Sequence, residues 1–440
     1  MNPTGTHPLA DTVPRTDHTP QPTRARAATP SPSRLLAGWS AGGRADDLTT
    51  HRRRYGPLPH LTADELVDLV HAAGLRGRGG AGFPTSVKLR AVADRRRRPV
   101  VVANGCEGEP ASCKDAALLD CAPHLVLDGI ELVARTLGAE SAILAIHDGP
   151  DGPGPRLRTL AAQRQGPVPV RVRGVPARYV ASEETALVNF LSGGPATPTT
   201  SPPRPTDRGV GGAPTLVDNI ETLAHIALIA RNGAPWFREL GTPDLPGTLL
   251  VSIDGAVHTP GVVEVAAGTT VRAAIELCGG PSGHVQAVLS GGYGGAWLPA
   301  TAIETPLTHT AMRAAGAALG VPTLLPLPSG ACGLAHTARL VRFLADQSAG
   351  QCGPCLFGLP AVAADLAAIA AGSRDARHAH DRLRHRLDLV TGRGACALPD
   401  GAARLTRTAL DVFSADLRDH LTGRPCLAAG APMIFPLEFR

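Results

Sequence analysis

The sequence predicts an α/β domain, a small β-rich domain after it, and a helical domain at the C-terminus. Three observations predict this order. Strand-like apolar runs at 100–103, 142–147 and 168–172 alternate with helical runs at 63–71, 123–137, 183–190 and 219–231. Short strand signals at 247–254, 261–265 and 287–290 then flank one helix near 271–278. Finally, 335–346 and most of 356–421 carry helical periodicity without strand signals. At 440 residues the chain is also too long for one core.

The expected divisions are a tail over 1–55, an α/β domain over 56–240, a β-rich domain over 245–330 and a helical domain over 331–425. The tail is rich in Pro, Thr, Ser and Arg and has no apolar period, so it cannot offset its ordering entropy and is expected to be disordered. Asp11, Asp17, Asp46, Asp47 and the prolines argue against a transit peptide. The Pro- and Gly-rich span 195–214 reads as an extended loop. No internal repeat is present.

Composition excludes several partners. The net charge is +5, but residues 1–58 hold eight Arg and four Asp, so the remainder is close to neutral and nucleic acid is rejected as a partner. No apolar stretch reaches membrane-spanning length, and no apolar run marks a signal peptide. Nine cysteines without an even, dense framework read as thiols or metal ligands in the cytoplasm. Aromatics are only 3% of the chain, so cores must be built mainly of Ala, Val and Leu.

Four segments carry chemistry. The first runs from Gly74 to Thr85 and holds Gly74, Gly77, Gly79, Gly80, Ala81 and Gly82 ahead of a helix. Such a loop lets amides approach a ligand, and a helix N-terminus favours an anionic group. Of 43 basic residues only Lys88 and Lys114 are lysine, and each follows one of these segments. The second segment, Asn104-Gly105-Cys106-Glu107-Gly108-Glu109-Pro110 with Lys114-Asp115, follows a strand, where open α/β sheets bind ligands. The third is Tyr179-Val180-Ala181-Ser182-Glu183-Glu184-Thr185-Ala186, whose acids also suit a helix N-terminus. The fourth, Pro214 to Leu223, contains Asp218, Asn219 and Thr222, with Asn219 a candidate helix cap. Further on, Cys352 and Cys355 form a Cys-x2-Cys pair with Cys396 downstream, a pattern open to iron–sulfur, zinc or redox chemistry.

Taken in order, these segments resemble the NADH-binding flavoprotein subunit of respiratory complex I and the related diaphorase subunits of hydrogenases and formate dehydrogenases. The resemblance covers about residues 60–425. It implies an FMN-dependent oxidoreductase passing electrons from NAD(P)H through FMN to an iron–sulfur centre and a ferredoxin-like or other electron-transfer subunit. It implies a β-grasp (SLBB-like) fold for the middle domain. Gly77, Arg78 and Gly80 would cradle FMN or its phosphate, Lys88 anionic groups, and Asn104 and Glu107 the flavin ring. Glu183, Asn219 and Thr222 would also contact the cofactor. Phe83 would meet the dinucleotide, with Glu109 and Glu184 as the catalytic candidates.

The chain departs from the family pattern at several positions. Cys106 stands for Asp, Gly108 for Ser, Asp218 for Asn, and the third segment has Ala181-Ser182 for Cys-Gly. Ala91 and Arg204 fall where aromatic rings usually flank the dinucleotide. Ala349 occupies the first of four cluster-ligand positions, leaving Cys352, Cys355 and Cys396 for a [4Fe–4S] or [3Fe–4S] cluster. Cys332 is either a substitute ligand or a small buried hydrophobe. Two rival readings are a flavin relay that does not use NADH and a scaffold without chemistry.

Overall fold

The computed structural model describes residues 33–39, 44–147, 149, 152–164 and 166–439. Residues 1–32 of the expected disordered tail lie outside these. Residues 40–43 lie outside as well; residues 33–39 and 44–55 of that tail are placed, which corrects the expectation. The N–H groups of Arg34, Leu35 and Leu36 all converge on the buried Glu264 carboxylate at 3.0–3.1 Å. Three successive amides make a small anion-binding nest, which a Pro- and Ser-rich composition does not advertise. Leu35 and Leu36 are buried behind it, and the Arg34 guanidinium lies 3.9 Å from the Trp236 ring centre.

The first unit contains α1 (Leu48–Tyr55), α2 (Ala63–Ala73), α3 (Thr85–Ala93), β1 (Val100–Gly105), α4 (Lys114–Cys121) and α5 (Pro123–Thr136). It continues with β2 (Ser141–His147), α6 (Gly154–Ala162), β3 (Val170–Val175), α7 (Glu184–Leu191), β4 (Thr215–Asn219) and α8 (Ile220–Arg238). Helix α2 starts at a reciprocal capping box between Thr62 and Glu65 and stops at Gly74, whose φ of 69° requires a residue without a Cβ penalty. The four strands are parallel in the order β3-β2-β1-β4. β1 and β2 read as unbroken apolar runs because helices cover both faces.

After a short hairpin of β5 (Gly241–Thr242) and β6 (Leu245–Pro246) comes a mixed five-stranded sheet. Its members are β7 (Thr248–Ile253), β8 (Gly261–Ala266), β9 (Val285–Ser290), β10 (Ala296–Pro299) and β11 (Thr323–Pro328), ordered β10-β9-β11-β7-β8. α9 (Val271–Glu276) and α10 (His309–Ala314) belong to this unit. One face of the sheet packs on α9 and α10. The other face, through Leu289, Trp297, Leu325 and Leu327, packs on the helical unit.

That last unit comprises α11 (Gly333–Asp346), α12 (Leu359–Ala370), α13 (Ala376–Val390), α14 (Leu398–Val412) and α15 (Ser414–Leu421). The chain end returns over it, burying Phe435 against Trp297 and His336. Among the described residues no helix is long and apolar enough to cross a membrane.

Candidate functional site

The strand order creates the site. From β1 the chain passes to β2 and β3 on one side, and β4 enters on the other, so the loops leaving β1 and β4 diverge. A crevice opens where they part, at the carboxyl ends of the strands. Asn104 and Asn219 are register partners at those ends. The Gly-rich loop closes back on itself through Gly77 N–H to Phe83 O at 2.9 Å and delivers α3 beside β4. Around the crevice lies a cavity of about 450 Å³, lined by residues from all four sequence segments. Its size falls within the range of cofactor sites.

Both lysines of the chain meet here. Lys114 is buried and bonds Asp115 at 2.7 Å, Glu221 at 3.0 Å and Asn219 at 3.1 Å. Burial disfavours its charge, but the acids outweigh it and hold the ammonium protonated. Lys88 donates to Val217 O at 2.8 Å and lies 3.4 Å from Glu184 and 3.8 Å from Asp218. Its pKa is likewise raised, the acids overcoming burial. Asp218 is pushed up to about 6 by burial, and its Oδ2 has no partner.

Glu109 is a buried carboxyl facing the cavity. Its Oε1 accepts from the Tyr179 hydroxyl at 2.5 Å and its Oε2 from Tyr293 N–H at 2.9 Å. Burial raises its pKa to about 7 despite these bonds. Glu107 is also raised to about 7, first by burial and then by Asp115, while accepting from Ser112 Oγ and Ala116 N–H.

Of the residues expected from sequence, Gly77, Phe83, Lys88, Asn104, Glu107 and Glu109 line the cavity. Glu183, Glu184 and Asn219 line it as well. Three expected residues do not. The Arg78 guanidinium turns into the interior and donates to Pro246 O at 2.9 Å, so its side chain does not cradle a phosphate. Gly80 faces the 320–321 loop, where an added Cβ would meet Val321 at 3.3 Å. Thr222 is buried beneath the loop, its hydroxyl accepting from Arg78 N–H at 2.9 Å. Ala91 and Arg204 also lie off the cavity, Arg204 being exposed.

Some lining residues have structural duties too. Asn219 caps α8 through Glu221 N–H at 3.1 Å, and Glu183 caps α7 through Thr185 and Ala186 N–H groups. The Asn104 amide is engaged by Ser182 O and Cys106 N–H. Sequence reasoning assigned no part to Asp218, Tyr179, Val321 and Ala397, which also line the cavity. Asp218 and Tyr179 sat within recognised segments; Val321 and Ala397 come from the two later units and carry no local signal.

Beside the cavity, Cys352, Cys355 and Cys396 gather. The Cys352 and Cys355 thiols are hydrogen-bonded to each other, and Cys396 interacts with Cys352 and Glu183. The Ser348 hydroxyl bonds Cys355, whose thiol burial pushes up to about 12. Ala349 packs with these residues against the helical core. Cys396 immediately precedes the cavity-lining Ala397, so the thiols and the cavity share a wall. Cys332 is not a substitute ligand for this group: it begins α11, at the far end of that helix. A fourteen-residue helix places it on the order of 20 Å away.

Comparison with known proteins agrees with this geometry. Residues 70–228 match the Nuo51 FMN-binding domain, 250–290 the SLBB domain, and 335–420 the NADH-ubiquinone oxidoreductase-F iron-sulfur binding region. The chain is 32% identical over 410 residues to the second NADH-quinone oxidoreductase F subunit of Rhizobium meliloti (strain 1021), covering 89% of this chain and 96% of that protein. To the NADH-quinone oxidoreductase F subunit of Streptomyces coelicolor it is 31% identical over 385 residues, covering 83% and 85%. A solved NAD+-reducing [NiFe]-hydrogenase in the H2-reduced state superposes with a TM-score of 0.75 at 32% identity, over 83% of this chain. The chain spans about 63% of that hydrogenase chain's length. Sequence, fold and the convergence of four segments on one cavity agree: the chain belongs to the family of NADH-quinone oxidoreductase F subunits.

Proposed function

We propose that the chain takes hydride from a reduced nicotinamide dinucleotide at FMN in the strand-end cavity and passes single electrons to an iron–sulfur centre at Cys352, Cys355 and Cys396. One observation carries the reading: Cys396 adjoins the cavity-lining Ala397 and interacts both with the cavity-lining Glu183 and with Cys352. FMN fits the residues present. Thr85 and Asp218 line the cavity, their Oγ1 and Oδ2 are buried without partners among the described residues, and no side chain caps α3 at Thr85. An iron–sulfur centre fits as well, with three thiolates and one ligand short at Ala349.

FMN, when bound, supplies the conversion between a two-electron and a one-electron carrier. The chain's own residues do the rest. Phe83, 42% exposed at the mouth, offers a ring face to an incoming dinucleotide. Glu109, with a pKa near neutrality, holds or releases one proton at its carboxyl. Glu184 and Lys88 set fixed charge along the same wall. Asn104, Glu107, Glu183 and Asn219 keep the wall in shape through the bonds described above. Val321 and Ala397 narrow the cavity against water. Leu356 and Phe357, exposed directly after Cys355, suit the docking of an electron-accepting partner such as a ferredoxin-like protein. The Cys352, Cys355 and Cys396 thiols are not tied into disulfides, which fits work in the reducing cytoplasm.

The test is anaerobic. Purified full-length protein is loaded with FMN, iron and sulfide, then titrated with NADH and NADPH. Bleaching of the flavin followed by a reduced-cluster signal in electron paramagnetic resonance is expected. Flavin that binds but is bleached by neither dinucleotide would leave the NADH-independent relay as the better reading.

A further inference from the structure

A second group of soft donors lies apart from the cavity and the three-thiol loop. The Sγ atoms of Cys332 and Cys426 and a ring nitrogen of His420 all stand within 4.8 Å of one another. Cys332 Sγ is 3.8 Å from His420 Nε2. Cys332 and His420 are fully buried, whereas Cys426 is partly open to solvent. These residues come from the start of α11, the end of α15 and the loop beyond it, so tertiary folding alone assembles them.

We propose that Cys332, His420 and Cys426 bind one zinc ion, with a water completing a tetrahedral set on the open Cys426 side. Two thiolates and a neutral imidazole balance the charge of Zn2+ and match its preferred donors. Histidine orientation supports this. His420 Nδ1 lies 3.2 Å from Ile369 O, so it is the donor there, and the lone pair belongs to Nε2 on the thiol side. That lone pair accepts Cys426 N–H at 3.2 Å, a long bond that coordination would replace. Cys332 caps α11, and its Sγ accepts Ala335 N–H at 3.4 Å. Binding releases one proton from each of the two thiols, which become the ligating thiolates.

The ion would fasten the root of the C-terminal segment. Pro425 packs against Gly372, and downstream Pro436 O accepts from the Tyr293 hydroxyl. Tyr293 N–H in turn holds Glu109 in the cavity wall. Zinc at Cys426 thus anchors a segment that reaches the flavin site without touching it.

The experiment uses full-length protein in which Cys352, Cys355 and Cys396 are all changed to Ala, so that no other thiol group competes, alongside wild-type protein carrying its cluster. Zn2+ and, as a spectroscopic probe, Co2+ are added anaerobically. One ion per chain is expected, with thiolate-to-cobalt charge-transfer bands, a tetrahedral ligand-field spectrum and two protons released. Cys426→Ser, at a partly exposed loop position, should weaken zinc by more than the roughly 10–100-fold typical of losing an outer partner. It should also speed proteolysis after residue 424. The proposal is overturned if neither protein holds zinc outside the cluster, or if Cys426→Ser binds it as tightly as its parent. A Cys332–Cys426 disulfide in anaerobically purified protein would overturn it equally.

Discussion

The strand-end cavity and the three-thiol loop are neighbours that respond to sequence change in opposite ways. The cavity has absorbed several departures from the family pattern. Gly108 stands for the usual Ser, and an added Cβ there would meet Ser182 Oγ at 2.3 Å and Tyr179 O at 2.5 Å. Ser182 itself stands for the usual Gly, so the two departures meet at one contact, while the Tyr179 carbonyl crowds position 108 independently of them. The wall also relies on backbone groups and on charges paired inside the fold, which no single side chain decides. In the thiol loop as we propose it, each side chain would itself be the ligand, and Ala349 would leave a deficit that no neighbouring cysteine offsets. A site built from shared geometry tolerates substitution; a site built from donor atoms does not.

The largest expected effect tests the ligand side. Cys355→Ser should lose essentially all bound iron and sulfide while FMN uptake remains at one per chain, measured by iron analysis and flavin absorption. Ala349→Cys should act in reverse, giving a [4Fe–4S] signal that persists in air. Equal loss of flavin in Cys355→Ser would show that the two sites are not separable, and the comparison would fail.

The cavity side is broken most severely at its buried charges. Lys114→Met leaves Asp115 and Glu221 without their cation, and removing one partner of a buried pair costs about 3–5 kcal/mol. Lys88→Met, which removes a more open pair with Glu184 and a longer one to the buried Asp218, should cost less than Lys114→Met. Urea denaturation of the flavin-free variants measures both. Similar costs for the two would mean that the burial difference does not govern them.

The smaller effect concerns pH. Glu109 has a folded pKa of about 7, above its ordinary value of 4.5. A raised carboxyl pKa means that the folded state binds the proton more tightly than the unfolded chain. Its contribution is complete below the unfolded pKa and is lost as pH rises through about 7. The loss is on the order of 3 kcal/mol. Glu109→Gln should therefore flatten the decline in stability between pH 4.5 and 8, followed by denaturant midpoints across that range. An unchanged slope would place the raised pKa elsewhere, with Glu107 and Asp218 the next groups to vary.

The order of the three units, most of their helices and strands, and the four segments of the site were determined by the sequence itself. Apolar periodicity, glycines that permit close approach, and two lysines in an arginine-rich chain are local signals, readable without coordinates. Even the deficit at Ala349 is a one-dimensional fact. Tertiary structure decided what depends on distance. It turned Arg78 inward, aimed Gly80 at Val321, and gave Asn219 and Glu183 helix-capping duties. It also brought Val321 and Ala397 to the cavity from later units, seated residues 33–39 on Glu264, and joined Cys332 to His420 and Cys426. The physical reason is common to all of these. A side chain's direction and partners are set by packing and by the satisfaction of buried polar groups, and those partners lie up to 231 residues away in sequence.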